Sequence, residues 1–278
     1  MTAHPLTSRF VELPQAGRVH LLEAGEGPVV LFIHGWPTNA QLWRHIMSAL
    51  APTRRVIALD LPGFGLSDKP RDVAYTSAFN GDVLDGLLAE LGVDRLSLCL
   101  HDAGGPIGLS WALRQPQRIE RLCLLNMLVF PDLHWAVRAF LASVRLPLAS
   151  WAWAQPFAIA ATLKTGLTHR LSPEALELYV GPFRKPDAGP AFVKAVRDLD
   201  FGCLDTISTG IGVFTDIPVR LIYGARDHIL PEVAGTMARV QVMLPQAELT
   251  ALPELCHFIQ EDDPVVVTEL VAGFLGRD

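Results

Sequence analysis

Asp102 stands at the centre of a short run of small residues that follows an apolar segment. The segment covers residues 96–100, and His101-Asp102-Ala103-Gly104-Gly105 comes directly after it. An aspartate is already ionised near neutral pH, so it attacks without the base that a serine needs. Its attack on an ester carbonyl gives an anhydride, a poor intermediate, whereas its attack on a saturated carbon gives an ordinary ester. If Asp102 is a nucleophile, the sequence predicts an alkylating substrate, with a halide or a strained oxygen on the reacting carbon.

Two further polar residues follow other apolar runs and complete a possible relay. Asp227 comes shortly after one run, and His257 lies in the loop after the last. Taken singly, Asp102 is typical of a helix cap, Asp227 of a turn and a loop histidine of the surface. Together they predict that His257, oriented by Asp227, takes a proton from the water that hydrolyses the Asp102 ester. The backbone N–H groups of Trp36 and Ala103 are the predicted oxyanion donors of that step.

The elements that must bring these residues together alternate between strands and helices. The hydrophobic pattern predicts a hairpin over 7–13 and 18–23, and then strands over 29–33, 55–59, 96–100, 121–127, 219–223 and 248–252. Helices are predicted over 40–50, 79–91, 231–240 and 264–275, and from the Asp102 turn to Arg114. This spacing is typical of a mostly parallel, doubly wound α/β sheet of eight strands with helices on both faces. The carboxyl ends of its strands, where such sheets bind ligands, would gather the three residues.

Residues 129–214 interrupt the alternation, because they contain apolar helical segments and no strand-like one. They predict a helical cap inserted over the carboxyl ends of the strands. The core is accordingly predicted in two parts, residues 1–128 and 215–278.

One uncharged run within this cap is long enough to suggest a membrane span. Leu146–Leu163 holds no charged residue over eighteen positions, with Arg145 and Lys164 at its ends. Pro147 and Pro156 divide it into short pieces, because proline breaks a helix interior. The run therefore predicts apolar cap helices and no transmembrane span.

The overall composition favours a globular domain with a large core. Half of the 278 residues are hydrophobic, and the net charge of −6 argues against a general nucleic-acid surface. The four cysteines lie far apart, without metal-like spacing, and no basic and apolar segment opens the chain. We expect no metal site, cysteines that are buried free thiols or alternatively paired, and a cytoplasmic location.

Five short segments carry a resemblance to a known family. They are His34-Gly-Trp-Pro-Thr38, Leu42-Trp43-Arg44, Val56–Pro70, His101–Gly105 and Cys256–Asp262. Over residues 8–127 and 217–275 the chain resembles the haloalkane dehalogenase and epoxide hydrolase branch of the α/β-hydrolases, and the dehalogenases most closely. In that superfamily the nucleophile occupies a strand-to-helix turn, and the triad follows in the order nucleophile, acid, histidine. The resemblance implies Asp102, Asp227 and His257 as the triad and no cofactor. Asn126, where some relatives carry the acid, is an amide and can only orient.

Two positions beside the predicted nucleophile depart from the dehalogenase pattern. Haloalkane dehalogenases hold the departing halide with two side-chain N–H donors. One is usually a tryptophan directly after the nucleophile, and the other is often an asparagine after His-Gly. Here these positions hold Ala103 and Trp36. The first donor is absent, and Trp36 is either a substitute donor or an aromatic wall of the pocket.

The cap also departs from the epoxide hydrolase pattern. Those enzymes protonate the epoxide with two cap tyrosines, whereas Tyr179 is the one tyrosine of the predicted cap. His134 or His169 would have to replace the other. We assign to a substrate and leaving-group pocket the residues Trp36, His134, Trp135, Trp151 and Tyr179, although aromatic residues at helical spacing are also typical of packing.

The sequence thus predicts a cofactor-free, haloalkane dehalogenase-like hydrolase that acts on a small apolar substrate with water. An epoxide hydrolase is the alternative within the family. A non-catalytic homologue that binds a small apolar ligand is the alternative of another class, against which the retention of all three triad residues counts. We expect neither a nucleic-acid partner nor a membrane span, and both a monomer and a homodimer stay open.

Overall fold

An eight-stranded sheet forms the centre of the computed structural model, which describes residues 5–277. The strands are β1 (Thr7–Leu13), β2 (Gly17–Ala24), β3 (Val29–Ile33), β4 (Arg55–Leu59), β5 (Leu96–Asp102), β6 (Ile119–Met127), β7 (Val219–Gly224) and β8 (Glu248–Leu252). They lie in the order β1-β2-β4-β3-β5-β6-β7-β8. β2 pairs antiparallel with β1 and β4, and all other neighbours are parallel. The predicted fold class is confirmed. Residues 1–4, where we expect no secretory segment, lie outside the described residues.

The central strands form where the sequence is continuously apolar. β3 and β5 are buried along their whole length, as parallel strands covered on both faces must be. β5 extends two residues beyond its predicted end, and its register with β6 shifts between His101 and Asp102. The strand therefore delivers Asp102 to the carboxyl edge of the sheet.

Twelve helices surround the sheet in the described part of the chain. They are α1 (Arg44–Leu50), α2 (Ser77–Glu90), α3 (Gly104–Arg114), α4 (Trp135–Ser143), α5 (Pro147–Trp153), α6 (Pro156–Thr165), α7 (Pro173–Val180), α8 (Ala188–Asp198), α9 (Cys203–Gly210), α10 (Val233–Met243), α11 (Ile259–Asp262) and α12 (Pro264–Leu275). Side chains cap several of them, as Thr76 does by accepting a hydrogen bond from Phe79 N–H at the start of α2. The helix predicted over 40–50 begins as a 3-10 helix over Ala40–Trp43, and the short α11 lacks a counterpart in the sequence pattern.

Helices α4 to α9 occupy the chain between β6 and β7, where no strand occurs among the described residues. This block corresponds to the predicted cap, whose boundaries at 129 and 214 stay a prediction. Pro147 and Pro156 begin α5 and α6, which is where a helix tolerates proline because its first N–H groups need no partner. The uncharged run is thereby split between two short helices. Across residues 5–277, no helix is long and apolar enough to cross a membrane.

Candidate active site

The turn at Asp102 joins β5 to α3 in a conformation that few side chains adopt. Asp102 has φ of +50°, in the left-handed region that costs a residue with a Cβ some backbone strain. The residues packed against it are small for steric reasons. A Cβ on Gly35 would lie 2.3 Å from the Asp102 carboxylate, and one on Gly104 would lie 2.5 Å from Ile33 O. The small residues thus let the strand and helix approach closely enough to present Asp102.

The two oxygens of the Asp102 carboxylate have different environments. Oδ1 accepts a hydrogen bond of 2.6 Å from Trp36 N–H, whereas Oδ2 lies 3.5 Å from His257 Nε2. Burial on its own would raise the pKa of Asp102. The nearby His257 imidazole and the Ala103 N–H group stabilise the carboxylate, and they hold this pKa below its usual value. Asp102 is therefore ionised, with one oxygen fixed by the backbone and the other free to react.

His257 lies between two carboxylates in the loop that follows β8. Its Nδ1 is 2.8 Å from Asp227 Oδ2, and Nε2 has no hydrogen-bond partner among the described residues. The N–H groups of His257 and Phe258 both donate to Gly166 O at 3.0 Å, so the end of α6 anchors this loop. Burial alone would lower the pKa of His257, but Asp227 and Asp102 raise it to about 10. The imidazole is a cation at neutral pH while both carboxylates are charged.

Asp227 is held rigidly by three donors. Its Oδ1 accepts from the N–H groups of Ile229 and Leu230 at 2.8 and 2.7 Å, and its Oδ2 accepts from Asn126 Nδ2 at 2.8 Å. Asn126 itself has φ of +32°, and its Oδ1 accepts from Gly224 N–H. Burial favours a raised pKa for Asp227, but the charge of His257 and these hydrogen bonds lower it below its usual value. Asn126 thus orients the carboxylate that orients His257.

His101 is a residue of the site to which the sequence pattern assigns no role. It is fully buried, and because a carbonyl only accepts, its Nε2 donates to His257 O at 3.0 Å. Burial, and next the charge of His257, lower the pKa of His101 to about 4, so it stays neutral. The signal that could have identified it is its position directly before Asp102 in the motif. The side chain ties the backbone of His257 to the turn at Asp102.

A largely apolar cavity of about 470 Å³ opens onto Asp102, Trp36 and Ala103. The helices between β6 and β7 supply much of its wall, including Val137, Phe140, Trp153, Phe157 and Ala158. Leu230 closes it from the loop that carries Asp227, and His228 contributes an exposed imidazole. No group of three or more His, Cys, Asp or Glu residues suited to a metal ion occurs within residues 5–277. The cavity therefore suits an apolar molecule beside a carboxylate.

The structure places four of the five predicted pocket residues outside this cavity and keeps Trp36 in it. His134 caps the start of α4, where its Nδ1 accepts from Ala136 N–H. Trp135 and Trp151 point outwards and are 69% and 59% exposed. Their neighbours in sequence, Ala136 and Ala152, line the cavity instead, because one residue along a helix turns the side chain by about 100°.

Tyr179 is the fourth predicted pocket residue that lies outside the cavity, and its hydroxyl forms hydrogen bonds elsewhere. It is fully buried, and it donates to Glu261 Oε1 at 2.5 Å. Arg44 binds the same carboxylate through both of its terminal nitrogens and also donates to the Tyr179 hydroxyl at 3.3 Å. Burial and the Glu261 charge raise the pKa of Tyr179. This cluster fixes α7 to α1 and α11.

Comparison with known proteins identifies similar chains over nearly the whole length. The family model described as alpha/beta hydrolase fold matches residues 28–264. Haloalkane dehalogenase 2 of Mycobacterium tuberculosis is 30% identical over 94% of this chain and 92% of that protein. A cis-3-alkyl-4-alkyloxetan-2-one decarboxylase of Xanthomonas campestris is 28% identical over 91% of this chain and 90% of that protein. The crystal structure of haloalkane dehalogenase DbeA from Bradyrhizobium elkani superimposes with a TM-score of 0.83 and 26% identity, covering 98% of this chain and 97% of that one.

Proposed function

Because this chain belongs to the α/β-hydrolase family, in its haloalkane dehalogenase-like branch, we propose that this hydrolase uses Asp102 as a nucleophile towards a small apolar substrate. The main support is the unequal environment of the two carboxylate oxygens. Trp36 N–H holds Oδ1 at 2.6 Å, while Oδ2 lies 3.5 Å from His257 Nε2, and Asp102 itself lines the apolar cavity. We also propose that residues 129–214 form the cap domain that closes this cavity.

In the first step, the substrate alkylates Asp102. A lone pair of Oδ2 forms a bond to a saturated carbon, and the carbon–halogen bond breaks with its electron pair leaving on the halide. Oδ1 stays in its hydrogen bond to Trp36 N–H, which directs Oδ2 to the reacting carbon. The product is an alkyl ester of Asp102.

In the second step, water hydrolyses that ester. His257 Nε2 takes a proton from water, and the resulting hydroxide adds to the carbonyl carbon of the Asp102 ester. The oxyanion that forms on Oδ1 is stabilised by the N–H groups of Trp36 and Ala103. Its collapse expels the alkoxide, which takes the proton from His257 and leaves as the alcohol. The Asp102 carboxylic acid that remains then gives its proton to His257, which restores the carboxylate.

The charges of the site link the two steps. While Asp102 is ionised, the two carboxylates raise the pKa of His257 to about 10 and the imidazole is protonated. Alkylation neutralises Asp102 and leaves Asp227 as the one remaining carboxylate in contact with the ring. The pKa of His257 then falls, the proton is released, and the imidazole becomes a base only after the ester has formed.

Apart from the exposed imidazole of His228, the leaving group has few candidate donors in the cavity. Ala103 offers no side-chain donor, and the indole N–H of Trp153 donates to Ser143 Oγ at 2.9 Å. The hydroxyl of Thr162, a further lining residue, donates to the backbone within α6. Trp36 lines the cavity, and its backbone N–H already contacts Asp102. We therefore propose that its indole N–H binds the leaving halide.

This scarcity of donors favours a second candidate substrate, a strained cyclic ester. Two relatives, from Xanthomonas campestris and Shewanella oneidensis, are named cis-3-alkyl-4-alkyloxetan-2-one decarboxylases. The carboxylate that leaves when such a ring opens stays attached to the reacting molecule. Attack by Asp102 on ring carbon 4 would open the ring to an alkyl ester with a free carboxylate. Loss of CO₂ from that carboxylate would then form the carbon–carbon double bond and release the Asp102 carboxylate. This route needs neither a halide donor nor water.

A panel of alkyl halides, epoxides and cis-dialkyl oxetan-2-ones tests the proposal. Halide and alcohol, diol, or CO₂ and alkene report the three reactions. For a halide substrate, a single turnover in ¹⁸O-water should place ¹⁸O in the Asp102 carboxylate and leave ¹⁶O in the alcohol, because water attacks the ester carbonyl. The Asp102→Asn variant is the inactive control.

Two results would contradict this proposal. Label that enters the alcohol in the first turnover would show that water attacks the substrate directly. If every compound is returned unchanged while the cavity binds it, the chain is a non-catalytic binding homologue.

A further inference from the structure

A group of large apolar side chains is exposed on the helices that cover the cavity. Its members, which we call the cap apolar face, are Trp135, Leu146, Leu148, Trp151 and Phe157, and each is between 59% and 79% exposed. They come from α4, α5 and α6 and from the residue that precedes α5. No residue of α5 is fully buried, and Leu148 and Trp151 lie one turn apart on it. Solvent is an unfavourable environment for such side chains, so their concentration on three successive helices indicates a binding surface.

This face adjoins the mouth of the active-site cavity. Phe157 is 61% exposed and also lines the cavity, and Ala161 and Thr165 on the same helix share both properties. Ala136 and Ala152, the sequence neighbours of Trp135 and Trp151, line the cavity from inside. A molecule held at the face would therefore have a short, apolar route to Asp102.

The charged residues of the chain segment that carries the face are all of one sign. Residues 133–173 contain no Asp or Glu, although the whole chain has a net charge of −6. Arg138, Arg145, Lys164 and Arg170 lie in this stretch and are exposed. Within the described part of the chain, none of the four forms an ion pair. The face thus combines exposed tryptophan and leucine with unpaired cations.

We propose that the cap apolar face docks on an anionic lipid surface and opens the cavity towards the membrane. Tryptophan, leucine and flanking Arg or Lys are the side chains that bind the interfacial region of a bilayer, where the apolar parts enter and the cations meet anionic headgroups. A second copy of this chain is the poorer occupant, because it would bring two sets of unpaired cations together. Docking draws the apolar substrate from the lipid phase, and it involves no membrane-spanning helix.

Vesicle flotation with the full chain tests this proposal. The wild type should float with vesicles of phosphatidylcholine and phosphatidylglycerol and much less with phosphatidylcholine alone. The double variant R138Q/R145Q should reduce the partition coefficient by about 25-fold, since each basic residue near an anionic surface contributes about fivefold. W135E/W151E should abolish flotation, whereas Val242→Glu, an equally exposed apolar position on α10, should not. Circular dichroism confirms that each variant is folded.

Several outcomes would overturn the proposal. One is a wild type that fails to float with anionic vesicles. Another is flotation that survives W135E/W151E or is unaffected at about 1 M salt, where the Debye length is only about 3 Å. A third is a wild-type dimer in sedimentation that W135E/W151E converts to a monomer without any lipid binding, which would assign the face to a second copy. None of these measurements depends on the catalytic proposal.

Discussion

Replacing Asp102 with asparagine tests the charge arrangement on which the second step depends. His257 Nε2 lies 3.5 Å from Asp102 Oδ2, its Nδ1 lies 2.8 Å from Asp227 Oδ2, and the two carboxylates raise its pKa to about 10. Asparagine keeps the size of the side chain and an oxygen that can accept from Trp36 N–H, but it carries no charge. We therefore expect the pKa of His257 to fall in Asp102→Asn.

The size of this fall follows from the 3.5 Å separation between the two groups. Two unit charges at that distance attract by about 5 kcal/mol at an effective dielectric constant of about 20, and by about 1 kcal/mol in bulk water. Since about 1.4 kcal/mol corresponds to one pH unit, the pKa of His257 should fall by roughly 1 to 3.5 pH units. Its imidazole would then titrate between about pH 6.5 and pH 9.

Nitrogen NMR of histidine-labelled protein measures this pKa, and a His257→Gln sample identifies the signal among the nine histidines. Asp132→Asn is the matched control, because that carboxylate is exposed and pairs with Arg239 instead. A pKa that stays near 10 in Asp102→Asn, or that falls equally in Asp132→Asn, would refute the reasoning.

The same shift has a consequence for stability. The pKa of His257 is raised from 6.5 to about 10, so the stabilisation from its charge is complete below about pH 6.5 and is lost as the pH rises through about 10. In Asp102→Asn this loss should occur at lower pH and be smaller. Urea unfolding across this range measures both curves.

Three further substitutions have expected outcomes. Trp36→Phe should slow cleavage of the carbon–halogen bond in a pre-steady-state assay and leave ester hydrolysis unchanged, because it removes the indole donor and keeps the backbone N–H. Equal slowing of both steps would contradict this role. Gly35→Ala should lower the free energy of unfolding by about 1 to 3 kcal/mol and abolish activity, since its Cβ would lie 2.3 Å from the nucleophile's carboxylate; wild-type stability by thermal unfolding would oppose it. Tyr179→Phe should cost about 1.5 to 3 kcal/mol in urea unfolding, because Glu261 loses a buried hydrogen bond; no change would show that Arg44 alone satisfies the carboxylate.

Local sequence patterns predict the sheet well because each strand is a short apolar run with a turn after it. β3, β4 and β8 occur with the predicted bounds, since Gly, Pro and charged residues end each run. The positions of Asp102, Asp227 and His257 follow from the same logic, because parallel strands gather their carboxyl ends at one edge. What the structure adds is their separation and orientation.

The cap is where prediction from the sequence fails, because its contacts are long-range. Trp135 and Trp153 have the same residue type and similar neighbours, yet Trp135 faces solvent and Trp153 faces the cavity. The direction depends on how each helix packs on the sheet, which local spacing does not encode. The partners of Tyr179 likewise lie more than eighty residues away in sequence on either side, at Arg44 and Glu261.

Trapping the ester in His257→Gln tests the central claim most directly. This variant keeps Asp102 and its Trp36 N–H contact but lacks the base. An alkyl halide should therefore leave a stable adduct that adds the mass of the alkyl group less one hydrogen. Peptide mapping should locate that adduct on Asp102, and Asp102→Asn should gain none. An active wild type whose His257→Gln variant gains no mass, or carries the alkyl group on another residue, would contradict the account.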